Sequence, residues 1–302
     1  MWFWLSLIAL LCWSGSDLFS KIGCQGEDDH LAHLKMVIAV GTVMGLHAAY
    51  EIFVGGTVIS FSIILTYLPV SLLYIGSMTL GYMGLRYIEL SISSPICNSS
   101  GALVAVMTLL FLGGEDYSPL AIGAIILVCV GAIGLGVVDA TEDPELRAAR
   151  QADGNRKYSK SFLALALPVA YCLLDAAGTF ADNRVLETLN EGSANCAYEL
   201  TFLFAAAVCF IYVVFIRKDR LPPKREAPKY IGAVCETAGQ FAYIYAISDT
   251  EHLAMSAPII SSYCAASVLW SRLFLKEKLS WKHYLMILLV VIGIAVMGVF
   301  DI

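Results

Sequence analysis

Apolar runs of about 20 residues recur along this chain, and they limit what it can fold into. A helix of that length crosses a hydrocarbon core about 30 Å thick. Charged residues make up 15% of the chain, against about 25% in soluble domains, and most of them lie in short connectors. Because lipid offers no partner to an unpaired backbone group, each run is expected to be an α-helix. The sequence therefore predicts an all-α, polytopic membrane protein.

These runs predict ten transmembrane helices. The connectors are short, except for a polar, charge-rich segment after the fifth helix that is expected to be a linker. The first run lacks the basic start and the cleavage site of a signal peptide, so we expect it to remain as a helix. The predicted spans are 2–22, 34–54, 64–86, 90–112, 118–138, 161–181, 197–216, 228–248, 252–275 and 283–301.

A repeated pattern indicates two related halves. Residues 90–96 (LSISSPI) align with 253–259 (LAMSAPI), and residues 126–139 align with 288–301. The alternative is chance similarity between apolar segments. Each half has five helices, an odd number, so the second copy is expected to be inverted, as in many secondary transporters. The predicted domains are a first repeat over 1–140, a cytoplasmic linker over 141–160 and a second repeat over 161–302.

The basic residues predict the orientation, because Lys and Arg are concentrated on the cytoplasmic side of membrane proteins. With these spans, 18 of the 19 basic residues fall on one face, together with the linker. The opposite face has Arg184 and several acidic residues, including Asp182. We therefore expect a multi-pass protein of the cell membrane with both termini outside.

Acidic residues within the spans are candidates for function, since each costs about 2.5–3.5 kcal/mol to insert. Asp17 and Asp175 each lie four residues after an aromatic residue, Trp13 or Tyr171, so ring and carboxylate share a helix face. An aromatic wall beside an acid favours a bound cation. The alternative for both acids is a hydrated position near a helix end.

Helix 8 carries a third acid, Glu236, with Gln240 one turn later. We expect Glu236 to face a central cavity, where it could exchange protons, or else to lie at the membrane interface. Outside this group, Glu51 and Glu199 lie nearer the membrane borders. His47 is expected to be a hydrogen-bonded structural residue.

Tyrosines within the spans and two prolines complete the predicted site. Tyrosine favours the membrane interface, so midspan tyrosines need a polar partner or a wet cavity. Pro95 and Pro258 stand early in two helices at corresponding places of the halves, where opened backbone points to a binding site. The predicted substrate-binding residues are Trp13, Asp17, Tyr74, Asn98, Tyr171, Asp175, Glu236, Gln240, Tyr243 and Tyr263.

Six short motifs occur in order along the chain: Trp13-Ser14, Lys21, Gly84-Leu85-Arg86-Tyr87, Ser93-Ser94-Pro95, Leu112-Gly113-Gly114-Glu115 and Leu275-Lys276-Glu277. With them the chain resembles the EamA-type, ten-helix members of the drug/metabolite transporter superfamily. The resemblance implies a ten-helix basket, alternating access and transport of metabolites, often coupled to protons. The connector 55–60 departs from the family, because typical members have basic residues there and this one has no charge.

These features predict a secondary active transporter of a small metabolite and not an enzyme. The sequence has no Walker loop, HExxH, GxSxG or grouped metal ligands, so we expect no cofactor or metal. Midspan acids outnumber basic groups, which favours a cationic or zwitterionic amine, with a proton as candidate coupling ion. The alternatives are an exporter of neutral or anionic metabolites and a non-transporting membrane scaffold. The expected partners are the substrate and the lipid bilayer, without nucleic acid, for a monomer or a homodimer.

Overall fold

The computed structural model of the chain describes residues 1–24, 29–87, 90–111, 118–141, 162–276 and 279–300. These residues form helices and no β-strand, as pairing of the backbone in lipid requires. Seven helical segments of the described ranges are long and apolar enough to cross a membrane. The motif residues 112–115 and Glu277, and most of the predicted linker, lie outside the described residues.

The described part of the chain contains twelve α-helices. They are α1 (Trp2–Cys24), α2 (Ala32–Tyr50), α3 (Phe61–Tyr87), α4 (Leu90–Asn98), α5 (Ser100–Phe111), α6 (Pro119–Ala140), α7 (Phe162–Leu186), α8 (Glu191–Phe210), α9 (Pro223–Ile247), α10 (Leu253–Ser261), α11 (Tyr263–Phe274) and α12 (Trp281–Phe300). Helices α2 and α8 continue into π turns, Glu51–Gly55 and Ile211–Ile216. A 3-10 turn, Thr250–His252, precedes α10.

Three predicted spans, at α7, α9 and α12, are not among the seven long apolar segments. Helices α7 and α9 carry charged residues in their interiors, among them Asp175, Lys229 and Glu236, which lower their hydropathy. Helix α12 contributes a shorter apolar stretch, Trp281–Met297. Hydropathy and length alone therefore do not give ten spans.

The fourth and ninth predicted spans are each broken into two helices, close to Pro95 and Pro258, where the sequence predicts opened backbone. The breaks fall at Ser99 and Ser262, which are 163 positions apart, and each lies four residues after a proline. The Ser99 hydroxyl donates to the Pro95 carbonyl oxygen at 2.9 Å, and the Ser262 hydroxyl donates to the Ile259 carbonyl oxygen at 2.5 Å. A serine hydroxyl competes with backbone amides for such carbonyl oxygens and bends the helix. The bend comes one turn after the proline in both spans.

The two broken helices cross each other at their breaks. Helix α5 packs against α10, and α4 packs against α11. Gly101 permits the close approach, because a methyl group there would lie 2.5 Å from Ser261 Cβ and 2.8 Å from the Ala257 carbonyl oxygen. Small residues allow backbones to come together in this way inside membranes. The crossing therefore depends on the glycine.

The most extensive helix contacts of the described residues join the first half of the chain to the second. Helix α1 packs against α9, α2 against α8, α3 against α7 and α6 against α12. If α1, α2, α3 and α6 are taken to correspond to α7, α8, α9 and α12, exchanging the halves leaves these pairs unchanged. Neither half forms its core alone.

One end of the bundle is held by a group of ion-paired residues that we call the charge cluster: Asp29, Lys35, Asp219, Arg225, Glu226 and Lys229. Lys35 Nζ lies 3.1 Å from Asp29 Oδ1 and 2.9 Å from Asp219 Oδ2. Lys229 Nζ lies 2.8 Å from Glu226 Oε2, and both residues are buried. These pairs connect the start of α2, the segment between α8 and α9, and the first turns of α9.

Asp219, in the segment between α8 and α9, links the charge cluster to solvent pH. The hydrogen bond from Lys35 lowers the pKa of the Asp219 carboxyl. A group whose folded pKa is lowered stabilises the fold above its ordinary pKa, near 4 for aspartate. That contribution is lost as the pH falls through the lowered value, because the protonated Asp219 no longer pairs with Lys35.

Replacing Gly101 with alanine is expected to lower the stability of the purified protein by about 1–3 kcal/mol, because the added methyl group overlaps the backbone of α10. Gly123 in α6 is the matched control, since a methyl group there meets no atom within 4 Å. Alanine at that position is expected to be neutral or slightly stabilising. Thermal unfolding in detergent measures both variants, and an unchanged melting temperature for G101A would contradict the crossing.

Candidate functional site

A cavity at the crossing of the broken helices is lined by all ten residues predicted from the sequence. About 70 Å³ of it is open to the centres of water molecules, which is room for several waters or one small metabolite. The ten residues are Trp13 and Asp17 of α1, Tyr74 of α3, Asn98 of α4, Tyr171 and Asp175 of α7, Glu236, Gln240 and Tyr243 of α9, and Tyr263 of α11.

Serine hydroxyls from the broken helices hold two of the cavity carboxylates. Ser94 of α4 and Ser267 of α11 donate to Asp17 Oδ2 at 2.5 and 2.8 Å. Ser100, the first residue of α5, donates to Asp175 Oδ2 at 2.7 Å. Both acids thus face the cavity and not a hydrated helix end. Because these donors are neutral, they orient the carboxylates without compensating their charge.

Asn98 supports this arrangement from the end of α4. Its side-chain amide donates to the Ser94 carbonyl oxygen at 2.8 Å and to the Ser94 hydroxyl oxygen at 3.2 Å. Ser94 in turn donates to Asp17. Asn98 is therefore linked to the carboxylate through Ser94 and has no direct hydrogen bond to it in the described structure.

Aromatic rings form one wall of the cavity. The Trp13 ring centroid lies 5.0 Å from that of Tyr243 and 5.8 Å from that of Tyr263. The Trp13 indole nitrogen donates to the Glu236 carbonyl oxygen at 3.4 Å, and the Ser16 side chain hydrogen-bonds the Glu236 carboxylate. Aromatic faces beside carboxylates attract cations. Glu236 therefore lies in the cavity lining, one of the two positions expected for it, and not at the interface.

The cavity combines uncompensated acids with unpaired donors. Among the described lining residues there is no Lys, Arg or His, so Asp17, Asp175 and Glu236 face no fixed positive charge there. The Tyr82 hydroxyl and the Gln240 amide nitrogen are buried and have no hydrogen-bond partner among the described residues. An unpaired buried polar group costs about 1–3 kcal/mol, which a ligand with an acceptor atom would relieve.

The chain is similar in sequence to a known family and in fold to a solved structure. The model of the EamA-like transporter family matches residues 165–299. The predicted resemblance to EamA-type transporters is confirmed. A solved crystal structure has the same fold, with a TM-score of 0.63 over 98% of this chain and 96% of its own, at 14% sequence identity. No curated protein matches the sequence.

The EamA match indicates a multi-pass membrane transporter of small molecules, a family of transporters and not of enzymes. It falls wholly within the predicted second repeat, 161–302. The matched region contributes Tyr171, Asp175, Glu236 and Tyr263 to the cavity lining. With Gln240 and Tyr243, six of the ten predicted residues thus lie in the part of the chain that matches the family.

One buried carboxylate was not among the predicted site residues. Asp182, which the sequence assigns only to the outer side of the membrane, is 0% exposed. The Tyr67 hydroxyl donates to its Oδ1 at 2.6 Å, and the Tyr74 hydroxyl donates to its Oδ2 at 3.3 Å. Helix α3 covers this part of α7, which is why the residue is buried. A signal was available, since Asp175, Thr179 and Asp182 follow at helical spacing and share one face.

A second buried acid is paired outside the cavity lining. His47 Nδ1 lies 2.8 Å from Glu199 Oε1, and the Asn195 amide donates to the same oxygen at 3.1 Å. Glu51 Oε1 lies 3.9 Å from His47 Nε2. The interpretation of His47 as a hydrogen-bonded residue is confirmed. Because Glu199 has a basic partner, it differs from the three cavity acids.

Replacing Ser267 with alanine is expected to lower the stability by about 1.5–3 kcal/mol, because Asp17 loses one of its two serine donors. Ser271 is the matched control on the same helix, since it is equally buried and its hydroxyl donates only to the Val268 carbonyl oxygen. S271A is expected to lose much less. Thermal unfolding measures both, and equal losses would remove Asp17 as the cause.

Proposed function

We propose that this chain is a secondary active transporter that binds a small cationic or zwitterionic amine in the cavity and moves it by alternating access. The observation that carries the proposal is the set of three carboxylates in a cavity whose described lining has no basic side chain. An ammonium group would pair with one carboxylate and contact the rings of Trp13 or Tyr263. Each cation–π contact contributes roughly 0.5–2 kcal/mol, depending on desolvation.

The unpaired donors in the cavity restrict the chemical class of the substrate further. An amine that also carries an acceptor, such as a carboxylate or a hydroxyl group, would satisfy Tyr82 or Gln240 at its other end. A purely anionic substrate would instead meet Asp17, Asp175 and Glu236 without a counter-charge. Like charges brought together in a desolvated site are unfavourable, so this chemistry favours a zwitterion over an organic phosphate.

We propose ten membrane spans in two inverted repeats, 1–140 and 161–302, with α4–α5 and α10–α11 as one broken span each. Three observations support this arrangement. The breaks are 163 positions apart, the same offset as the aligned segments around Pro95 and Pro258. The helix pairs are unchanged when the halves are exchanged. The family match covers nearly the whole second repeat. In such repeats the substrate binds near the membrane midplane, between discontinuous helices.

Ligand-induced stabilisation tests the substrate class. We expect choline, betaine or lysine to raise the melting temperature of the purified protein, because an amine relieves the repulsion among the acids. Glucose 6-phosphate and glycerol are expected to leave it unchanged. If the organic phosphate stabilises the protein and the amines do not, the amine proposal is wrong.

The same assay with variants tests the site. D17N, D175N and E236Q are each expected to weaken amine binding tenfold or more, which corresponds to about 1.4 kcal/mol or more. E51Q is the control, because Glu51 lies outside the cavity lining. Uptake of the stabilising amine into proteoliposomes then separates a transporter, which saturates and exchanges substrate, from a scaffold, which moves nothing.

We also propose that both termini lie outside the cell membrane and that the linker lies in the cytoplasm. The support is the collection of basic residues on one predicted face, where Lys21, Lys35 and Lys229 lie at helix ends. Lys and Arg of short connectors stay on the cytoplasmic side during insertion.

Labelling of single introduced cysteines measures this orientation. The nine native cysteines are buried or half-buried, so the wild-type chain provides a low background. In intact cells an impermeant maleimide is expected to label T188C, between α7 and α8, and to leave S159C in the linker unlabelled until the cells are opened. The reverse pattern would mean that the chain is inserted the other way round.

A further inference from the structure

We propose that Asp182 is the proton-binding site of this transporter and that a chain of hydroxyl groups links it to the substrate cavity. The inference rests on the proposed transport function. It assigns the proton to a carboxylate outside the cavity lining and leaves Asp17, Asp175 and Glu236 to the substrate. Asp182 fits this role because it is fully buried and hydrogen-bonded only through hydroxyl groups in the described structure.

The hydroxyl chain runs without interruption from the cavity to the carboxylate. Tyr74, Thr179 and Tyr243 all line the cavity. The Tyr243 hydroxyl donates to Thr179 Oγ1 at 3.1 Å and is hydrogen-bonded to the Tyr74 hydroxyl. The Tyr74 hydroxyl lies 3.3 Å from both Thr179 Oγ1 and Asp182 Oδ2. Each step from the cavity to Asp182 is therefore one hydrogen bond.

This chain can carry a proton without leaving a charged tyrosine behind. The O–H bond of Tyr74 breaks as its proton passes to Asp182 Oδ2. At the same time the Tyr243 hydroxyl, turned from Thr179 Oγ1 toward Tyr74, gives its proton to the Tyr74 oxygen and takes one in turn from a protonated water in the cavity. The net change is one proton moved from cavity water to the carboxylate, with every hydroxyl restored.

The groups around Asp182 are hydroxyls and rings from three other helices. Tyr67 and Tyr74 face it from α3 and Tyr243 from α9, and the Tyr198 ring of α8 lies behind Tyr74 at 5.9 Å between centroids. Thr179 and Asp175 lie one and two turns away on its own helix. The described residues give Asp182 no ion pair with a basic side chain. A buried charge without a counter-charge is costly, and protonation removes that cost.

Protonation of Asp182 would also change how firmly α3 is held against α7. Its two hydrogen bonds join α7 to Tyr67 and Tyr74 of α3. A hydrogen bond to an ionised carboxylate is roughly twice as strong as one to a neutral group. The charged form therefore holds α3 against α7 more firmly than the neutral form does. Proton binding at Asp182 is thus coupled to a movement of α3. Asp182 lies outside the lining of the cavity that the substrate occupies.

Infrared spectroscopy of the purified protein tests the proton site without any substrate. As the pH is lowered, a carboxylic-acid carbonyl stretch appears for each acid that takes a proton. D182N is expected to remove one component of this band, and Y67F is expected to move its midpoint, because a donor to the carboxylate is lost while the ring remains. Y245F is the control, because Tyr245 lies on α9 but is not part of the hydroxyl chain. A band unchanged in both D182N and Y67F would overturn the assignment.

Transport of choline into proteoliposomes tests the coupling. D182N is expected to lose uptake driven by a pH gradient at least tenfold while it keeps choline–choline exchange, whereas D175N is expected to lose both. If D182N keeps the driven uptake, the inference is wrong and the proposed function stands. If the wild-type protein transports neither choline nor lysine, the proposed function fails, and the infrared band alone decides whether Asp182 binds a proton.

Discussion

The absence of hydrogen-bond partners in lipid is the constraint on which the rest of this structure depends. It requires helices, and it allows a helix to break only where other protein covers the opened backbone. Both breaks of this chain lie at one such place, where α4–α5 crosses α10–α11 over Gly101. The same serine-rich turns that open the helices supply the donors for Asp17 and Asp175. One crossing therefore covers the opened backbone and also orients the two acids.

The chain places its buried charges in two contrasting settings. In the charge cluster each lysine has a carboxylate within 3.1 Å, so the cost of burial is offset by ion pairs that fix the helix ends. In the cavity the acids have only neutral donors, so their charge is left for a ligand or a proton. The sequence contains both kinds of residue in the same helix, since Lys229 and Glu236 lie two turns apart on α9.

Much of the fold and of the cavity lining could be predicted from the sequence, because insertion into a membrane restricts which residues a helix can contain. Apolar length gave the helices, and the four-residue spacing of Trp13 and Asp17 placed ring and acid on one face, where the structure has them. The prolines predicted opened backbone in both spans, but the serines at the breaks were not singled out, because a hydroxyl such as that of Ser99 bonds its own helix wherever it occurs and bends it only in some contexts. The burial of Asp182 was not predicted, because closeness to a helix end says nothing about whether a neighbouring helix, here α3, covers the residue.

The pairing of helices across the two halves has a consequence for how the chain is made. A ribosome delivers α1, α2 and α3 to the membrane long before their partners α9, α8 and α7 exist. During that interval the first half must stay in lipid with its inner faces unmatched, and its acids must be sheltered by water, lipid head groups or an insertion factor. Since the core forms only when both halves are present, two separately synthesised halves that meet in one bilayer would contain every contact needed to build it.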